Sequence, residues 1–141
     1  MSSIANFAAD PFAAALGVLI RSENPSAAPL GALLNAIVEG DWRAATDELH
    51  ALCDLPCGVD DSTLDLLLGW AMFNDTTMRD ERRFERAKLA WNRVVQRDEG
   101  DAMYVAAASS LGWVYAAEGQ DRHAKMWRKV SARSVDAALA A

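Results

Sequence analysis

The chain has 141 residues, of which 52% are hydrophobic, with 8 Gly and 4 Pro. This length fits a single domain, residues 1–141, and the apolar content argues against general disorder. A net charge of −6 and a sequence pI of about 4.8 disfavour nucleic acid as a partner.

The first predicted helix, residues 10–22, begins where Asp10 can cap the helix and Pro11 occupies the first turn. Its apolar face consists of Phe12, Leu16, Leu19 and Ile20. Residues 22–28 are predicted to be a loop because they contain Asn24-Pro25. The next helix ends at Gly40. Its face consists of Leu30, Leu33, Leu34, Ile37 and Val38.

The middle of the chain continues the helical pattern. Asp41 can cap a third helix. Its face consists of Trp42, Ala45, Leu49 and Leu52. Residues 54–61 are predicted to interrupt the helical pattern between this helix and the next. Ser62 and Asp65 then resemble a capping box that opens a helix over residues 63–74.

Three more helices are predicted after residue 76. Thr77 and Asp80 again resemble a capping box, opening a charged helix to about residue 97. Its buried stripe consists of Phe84, Ala87, Trp91, Val94 and Val95. A polar turn over residues 97–100 leads to Asp101, which can cap a helix over residues 102–118. Gly119 ends that helix, and a last one runs over residues 120–138, with an inner face of Ala124, Trp127 and Val130. Abundant alanine and sparse β-branched residues make the predicted fold all-α, with seven helices.

A short segment of sequence occurs twice. LGWAM at residues 68–72 returns as LGWVY at residues 111–115, and VEGD at residues 38–41 is close to AEGQ at residues 117–120. A repeated helix start of this kind is typical of stacked helix pairs. Residues 30–135 can be divided into three such pairs.

These residues resemble the tetratricopeptide repeat. The positions that match that family's pattern at its own spacing are Leu111, Gly112, Tyr115, Gly119 and Ala124. The middle pair departs from the pattern, since Gly69 and Ala87 are separated by extra residues and no glycine marks the turn. Arg128 also stands where the family has a large apolar residue. A non-repetitive helical bundle is the alternative fold.

The resemblance implies a concave groove lined by the first helix of each pair. It implies that the residue after each Leu-Gly, Trp70 or Trp113, faces this groove. The full set of partner-binding residues that it implies is Leu34, Ile37, Leu66, Trp70, Phe73, Asn74, Ser109 and Trp113. Burial of both tryptophans in the core, beneath a terminal helix, is the alternative.

Catalytic and metal-binding patterns are weak. The sequence shows no Ser-His-Asp arrangement and no phosphate-binding glycine loop. His50, Cys53 and Cys57 lack the paired short spacing of zinc sites. We therefore expect no enzyme activity, no metal and no cofactor.

The sequence also gives expectations about the cellular location of the protein and its partners. No apolar run approaches the eighteen or so residues of a membrane span, and residues 1–9 lack the features of a secretory signal. With only two cysteines, the sequence predicts a cytoplasmic protein. The function predicted is an adaptor or chaperone that binds a protein or peptide segment. The resemblance extends to the small tetratricopeptide chaperones of bacterial secretion systems. Self-assembly into a homo-oligomer, or a ligand-binding or catalytic helical bundle, is the alternative.

Overall fold

A computed structural model describes residues 4–22, 27–54, 60–98 and 101–140, and over these residues the fold is all-α, as predicted. Eight helices, and no strand, occur in these ranges. The helices are α1 (Ile4–Ala9), α2 (Pro11–Ile20), α3 (Ala27–Glu39), α4 (Trp42–Cys53), α5 (Asp61–Asn74), α6 (Asp80–Arg97), α7 (Ala102–Ala117) and α8 (Asp121–Ala140). The seven helices predicted from sequence correspond to α2–α8.

Aspartate side chains begin three helices where the sequence predicts them. Asp10 and Asp41 each accept a hydrogen bond through Oδ1 from the backbone N–H three residues ahead, at 3.1 Å. Asp101 Oδ1 accepts from two backbone N–H groups, at 2.8 and 3.1 Å. Each carboxylate satisfies backbone donors that lack a partner inside the helix.

The two predicted capping boxes are wrong. Helix α5 is capped by Asp60, whose Oδ1 accepts from Thr63 N at 2.8 Å, while Ser62 is buried and donates to Asp98. Before α6, Thr77 donates from its backbone N–H and its hydroxyl to Asp75 Oδ1, at 3.1 and 2.6 Å. Thr77 therefore closes a turn on the preceding acid, a local alternative to helix capping.

Two glycines close matching turns between neighbouring helices, as predicted. Gly40 and Gly119 have φ values of 72° and 76°. In each turn the next residue donates back across the helix end, Asp41 N to Ala36 O and Gln120 N to Tyr115 O, both at 2.9 Å. A left-handed residue at this position favours glycine, which has no Cβ. The turn folds α4 back on α3 and α8 back on α7.

From α3 to α8, each helix packs against the next helix in the chain, and α5 also packs against α7. The predicted stripe of α6 is confirmed, because Phe84, Ala87, Trp91 and Val94 are buried. The largest fully buried side chain is Trp91, whose indole Nε1–H donates to Leu66 O at 3.1 Å. The core therefore lies between α5, α6 and their neighbours.

The N-terminal helices pack against α5, α7 and α8. Helix α1, which the sequence analysis did not predict, contacts α7 and α8, and α2 contacts α5 and α7. Phe7 is buried, and Ser109 Oγ on α7 donates to Ala8 O at 2.6 Å. Helices α1 and α2 therefore cover much of the face that α5 and α7 share.

A largely buried ion pair joins α6 to the end of α7. Lys88 Nζ on α6 lies 3.0 Å from both carboxylate oxygens of Glu118, at the end of α7. It donates a hydrogen bond to Oε2, whereas buried Oε1 receives the ion contact without hydrogen-bond geometry. Burial lowers the pKa of Lys88, but the hydrogen bond and charge of Glu118, helped by Glu85 and Tyr115, outweigh burial and raise this pKa above 10.5.

Two predicted face residues and one predicted helix boundary need correction. Ile20 and Val38 were assigned to apolar faces, yet 50% and 86% of their surfaces are exposed, because no part of the chain that the structure describes covers them. Helix α3 begins at Ala27, inside the predicted loop. Parts of the three predicted loops, residues 23–26, 55–59 and 99–100, lie outside the described residues, and Cys57 lies there too.

Candidate binding cavity

A cavity of about 600 Å³ opens between the α1–α2 turn and helices α4, α5 and α7. We call it the aromatic cavity. Its wall is formed by Ala9, Asp10, Pro11, Phe12, Trp42, Trp70, Phe73, Asn74 and Trp113. Four of the eight residues predicted to bind a partner lie in this wall: Trp70, Phe73, Asn74 and Trp113.

Trp70 forms a fixed, half-buried part of the wall. Its indole Nε1–H donates to Ser110 Oγ at 2.9 Å, and Ser110 donates in turn to Ala106 O at 2.7 Å. The ring of Trp70 also packs on the buried ring of Trp91, with centroids 5.0 Å apart. A buried indole that has its hydrogen-bond partner is held in one orientation.

Trp113 is the most exposed aromatic side chain of the wall. It lies on α7, and 55% of its surface is exposed. Its ring centroid is 6.4 Å from that of Trp70, and the two planes are inclined at 69°. The two indoles therefore form a corner that is open to solvent, which fits neither a fully buried core nor an isolated surface residue.

Phe73 and Asn74 extend the wall along α5. The ring of Phe73 lies 5.4 Å from Trp70 at 76°. The guanidinium of Arg83 is 5.7 Å from the Phe73 ring and donates to Phe73 O. Asn74 Nδ2 donates to Trp70 O at 2.9 Å. Phe73 and Asn74 are thus held by contacts within α5 and with α6.

The opposite wall was missed by the sequence analysis. The rings of Phe12 and Trp42 meet edge to face, with centroids 5.6 Å apart at 74°. Asp10, whose carboxylate caps α2, is the one charged residue of the wall. Phe12 and Trp42 were assigned to helix faces and Asp10 to a cap. Local spacing carried no signal that the start of α2 would face α5 and α7.

The other four predicted residues do not line the cavity. Leu66 is wrong as a groove residue, because its side chain is 0% exposed and belongs to the core. Ser109 instead holds α1 through its hydrogen bond to Ala8 O. Leu34 and Ile37 are half-buried on α3, and Ile37 borders a narrow apolar gap beside Phe12.

The remaining sequence candidates do not converge in the structure. Across the described ranges, no three His, Cys, Asp or Glu side chains are placed to hold a metal ion. His50 and Cys53 are exposed near the end of α4, and the ring of His123 stacks on Tyr115, 5.1 Å away. None of the helices described above has both the length and the apolar character needed to cross a membrane.

Comparisons of the chain with protein-family models, curated proteins and solved structures found no match. The functional argument therefore depends on the geometry of the aromatic cavity.

Proposed function

We propose that this protein is a non-enzymatic interaction module, built of helix pairs of the tetratricopeptide kind, that holds a short segment of a partner protein. The observation that carries the proposal is the corner formed by Trp70 and Trp113. One indole is fixed by the core and the other is 55% exposed beside a cavity of about 600 Å³.

The physical support is preorganisation. Tryptophan is enriched among the residues that dominate binding energy at interfaces, and it contributes most where it is already ordered. Trp70, Phe73 and Asn74 are each held by a hydrogen bond or ring contact in the free protein. An incoming side chain therefore meets a wall that loses little conformational freedom on binding.

The position of α1 and α2 limits the size of the partner segment. These helices cover much of the face that α5 and α7 share, and they leave the aromatic cavity as the open part of it. We therefore propose that one or two anchor side chains enter the cavity, while the rest of the segment crosses its mouth.

The test compares two exposed apolar side chains. Trp113 lines the cavity and Leu89 on α6 does not, yet both are 55% exposed. A partner captured from extract is identified, purified and titrated against the wild type, Trp113→Ala and Leu89→Ala. We expect Trp113→Ala to raise Kd by at least about tenfold, as loss of an anchor does, and Leu89→Ala to leave Kd within about twofold.

Trp70 is unsuitable for this test. Its removal would take a hydrogen bond from Ser110 and a ring contact from the buried Trp91, and would thereby disturb the core. Circular dichroism of both variants checks that helical content is kept. Equal Kd values for Trp113→Ala and the wild type would refute the cavity as the binding site. If the chain also keeps an aggregation-prone partner soluble, as measured by light scattering, the module acts as a chaperone.

A further inference from the structure

We infer that the aromatic cavity selects an alkylated ammonium group carried on a side chain of the partner, such as an N-methylated lysine. This inference rests on the proposed function, because it assumes that a partner segment presents a side chain to the cavity. It adds the chemical class of that side chain.

Five aromatic rings surround one cavity. They belong to Phe12, Trp42, Trp70, Phe73 and Trp113. The face of an aromatic ring carries partial negative charge, and a cation within about 6 Å of the ring centroid is attracted to it, most strongly by tryptophan. Ring pairs in this wall are inclined at 69–76°, so they form corners instead of flat stacks. Corners let one bound cation approach more than one ring.

The charge on the wall of the aromatic cavity is negative. Among the described residues that line it, Asp10 is the one charged residue, and none is a lysine or an arginine. The guanidinium of Arg83 lies 5.7 Å from the ring of Phe73 and is held there by Phe73 O, Asp80 and the ring of Phe84, 4.4 Å away. A bound cation would therefore meet mainly the other four rings of the wall. Residues 1–75 also carry 2 basic and 11 acidic residues, a balance of −9. A cation is therefore complementary both to the cavity and to this half of the chain.

Alkylation follows from the hydrogen-bond groups available. A primary ammonium has three N–H donors, each of which needs an acceptor when it leaves water. The polar side chains of the wall are Asp10, whose Oδ1 already accepts from Ala13 N, and Asn74, whose Nδ2 donates to Trp70 O. Their remaining oxygens, Asp10 Oδ2 and Asn74 Oδ1, are two acceptors against the three donors of a primary ammonium. A trimethylammonium group has no N–H donor, so it enters a cavity of rings without leaving a donor unpaired.

A neutral apolar anchor fits less well. It would contact the same rings, but it would take water from the Asp10 carboxylate and give no charge in return, which costs free energy. A cation on the same carbon skeleton removes that cost. This difference lets two compounds of equal shape distinguish the two chemistries.

The experiment uses Nα-acetyl-trimethyl-lysine methylamide as the probe. Its control is the carbon isostere, in which a tert-butyl group replaces the trimethylammonium group. Binding is followed by the indole N–H resonances of Trp42, Trp70 and Trp113 in proton–nitrogen spectra. We expect the cation to bind with a Kd lower by at least about tenfold, the ratio expected for a cation partly desolvated among aromatic rings.

A charge variant provides a second readout. Asp10→Asn removes the carboxylate charge and keeps the helix cap, because asparagine caps a helix as well as aspartate. We expect it to weaken binding of the cation about threefold to tenfold. Binding of the isostere should not weaken and should tighten slightly, because the cost of desolvating the carboxylate is removed. Asp47→Asn, at an exposed position outside the cavity wall, is the matched control and should change neither.

Each other outcome overturns the inference. Equal binding of the two compounds would make the cavity a plain apolar pocket, and the absence of any shift would remove ligand selection altogether. Tighter binding of choline than of the lysine derivative would assign the cavity to a free small cation. All these results differ from failure of the proposed function, which is measured by partner binding to Trp113→Ala.

Discussion

Gly69 and Gly112 occupy equivalent positions in the repeated segment but have different neighbours. A Cβ at Gly69 would lie 2.7 Å from Cε2 and 2.8 Å from Cδ1 of Trp91, a fully buried ring held by its hydrogen bond to Leu66 O. A Cβ at Gly112 would lie 3.2 Å from Cγ of Arg128, an exposed and flexible side chain. Glycine is therefore required for close packing at the first position and not at the second.

We expect Gly69→Ala to lower the free energy of unfolding by about 2 kcal/mol, because the ring cannot move aside without overpacking the core. Gly112→Ala should change it by less than about 0.5 kcal/mol, since the small contact with Arg128 is offset by the higher helix propensity of alanine. Urea unfolding followed by circular dichroism measures both. Equal losses in the two variants would contradict the assigned role of Trp91.

The sequence could identify Trp70 and Trp113 as special but could not decide between core and groove. Trp70 is half-buried because Ser110 and Trp91 pack against it, whereas Trp113 is 55% exposed at the side of the cavity formed by α7. Both environments are produced by residues far away in the chain. A tryptophan's own helical spacing contains no information about them.

Among the helices, the caps show which elements could be predicted. Asp10, Asp41 and Asp101 cap as expected, because each carboxylate accepts from a backbone N–H in the first turn of its helix, a local contact that the sequence pattern contains. At α5, Asp60 takes the capping position that the sequence analysis gave to Ser62. Ser62 instead pairs with Asp98 at the end of α6, a tertiary contact that a local pattern does not contain.

The ion pair between α6 and α7 gives a pH-dependent prediction. The raised pKa of Lys88 means that the folded chain binds this proton more tightly than the unfolded chain. The resulting stability is therefore present in full below about pH 10.5 and is lost as pH rises through the folded pKa.

We expect Lys88→Met to cost about 1–2 kcal/mol at neutral pH, because it leaves the Glu118 carboxylate without its charged partner. The difference from the wild type should stay the same up to about pH 10.5 and shrink between about pH 10.5 and about pH 12. Lys125→Met, at an exposed position of α8, is the control and should show a small loss at neutral pH. A difference that stays constant over this range would argue against the ion pair as its source.

At the scale of the whole molecule, the all-α fold and the order of seven helices could be predicted from periodicity and caps. Helix α1 could not, because six residues do not form a stable helix alone and are held here by α7 and α8. Because the sequence analysis did not predict α1, it also did not predict the part of the cavity wall formed by Phe12 and Trp42. Phe12 and Trp42 face the tryptophans only because α1 and α2 lie across α5 and α7.

Phe7 is the side chain that holds α1 in place. We expect Phe7→Ala to cost about 3 kcal/mol, the usual penalty for emptying a buried phenylalanine site. Amide exchange of residues 8–10, whose N–H groups bond back into α1, should then accelerate under conditions in which the rest of the chain stays folded. Asn6→Ala, at an exposed position of the same helix, should change stability by less than about 0.5 kcal/mol. Unchanged exchange in Phe7→Ala would show that α1 is held in another way.

The hydrogen bond between Ser109 and Ala8 joins residues 101 positions apart in sequence. During synthesis α1 leaves the ribosome long before α7, its main support, has been made. The buried face of α1 therefore stays exposed to water, or bound to a cellular chaperone, until α7 has been synthesised. The aromatic cavity can therefore form only after Trp113 on α7 has been added, and a ribosome stalled before residue 102 would carry a chain whose cavity is incomplete.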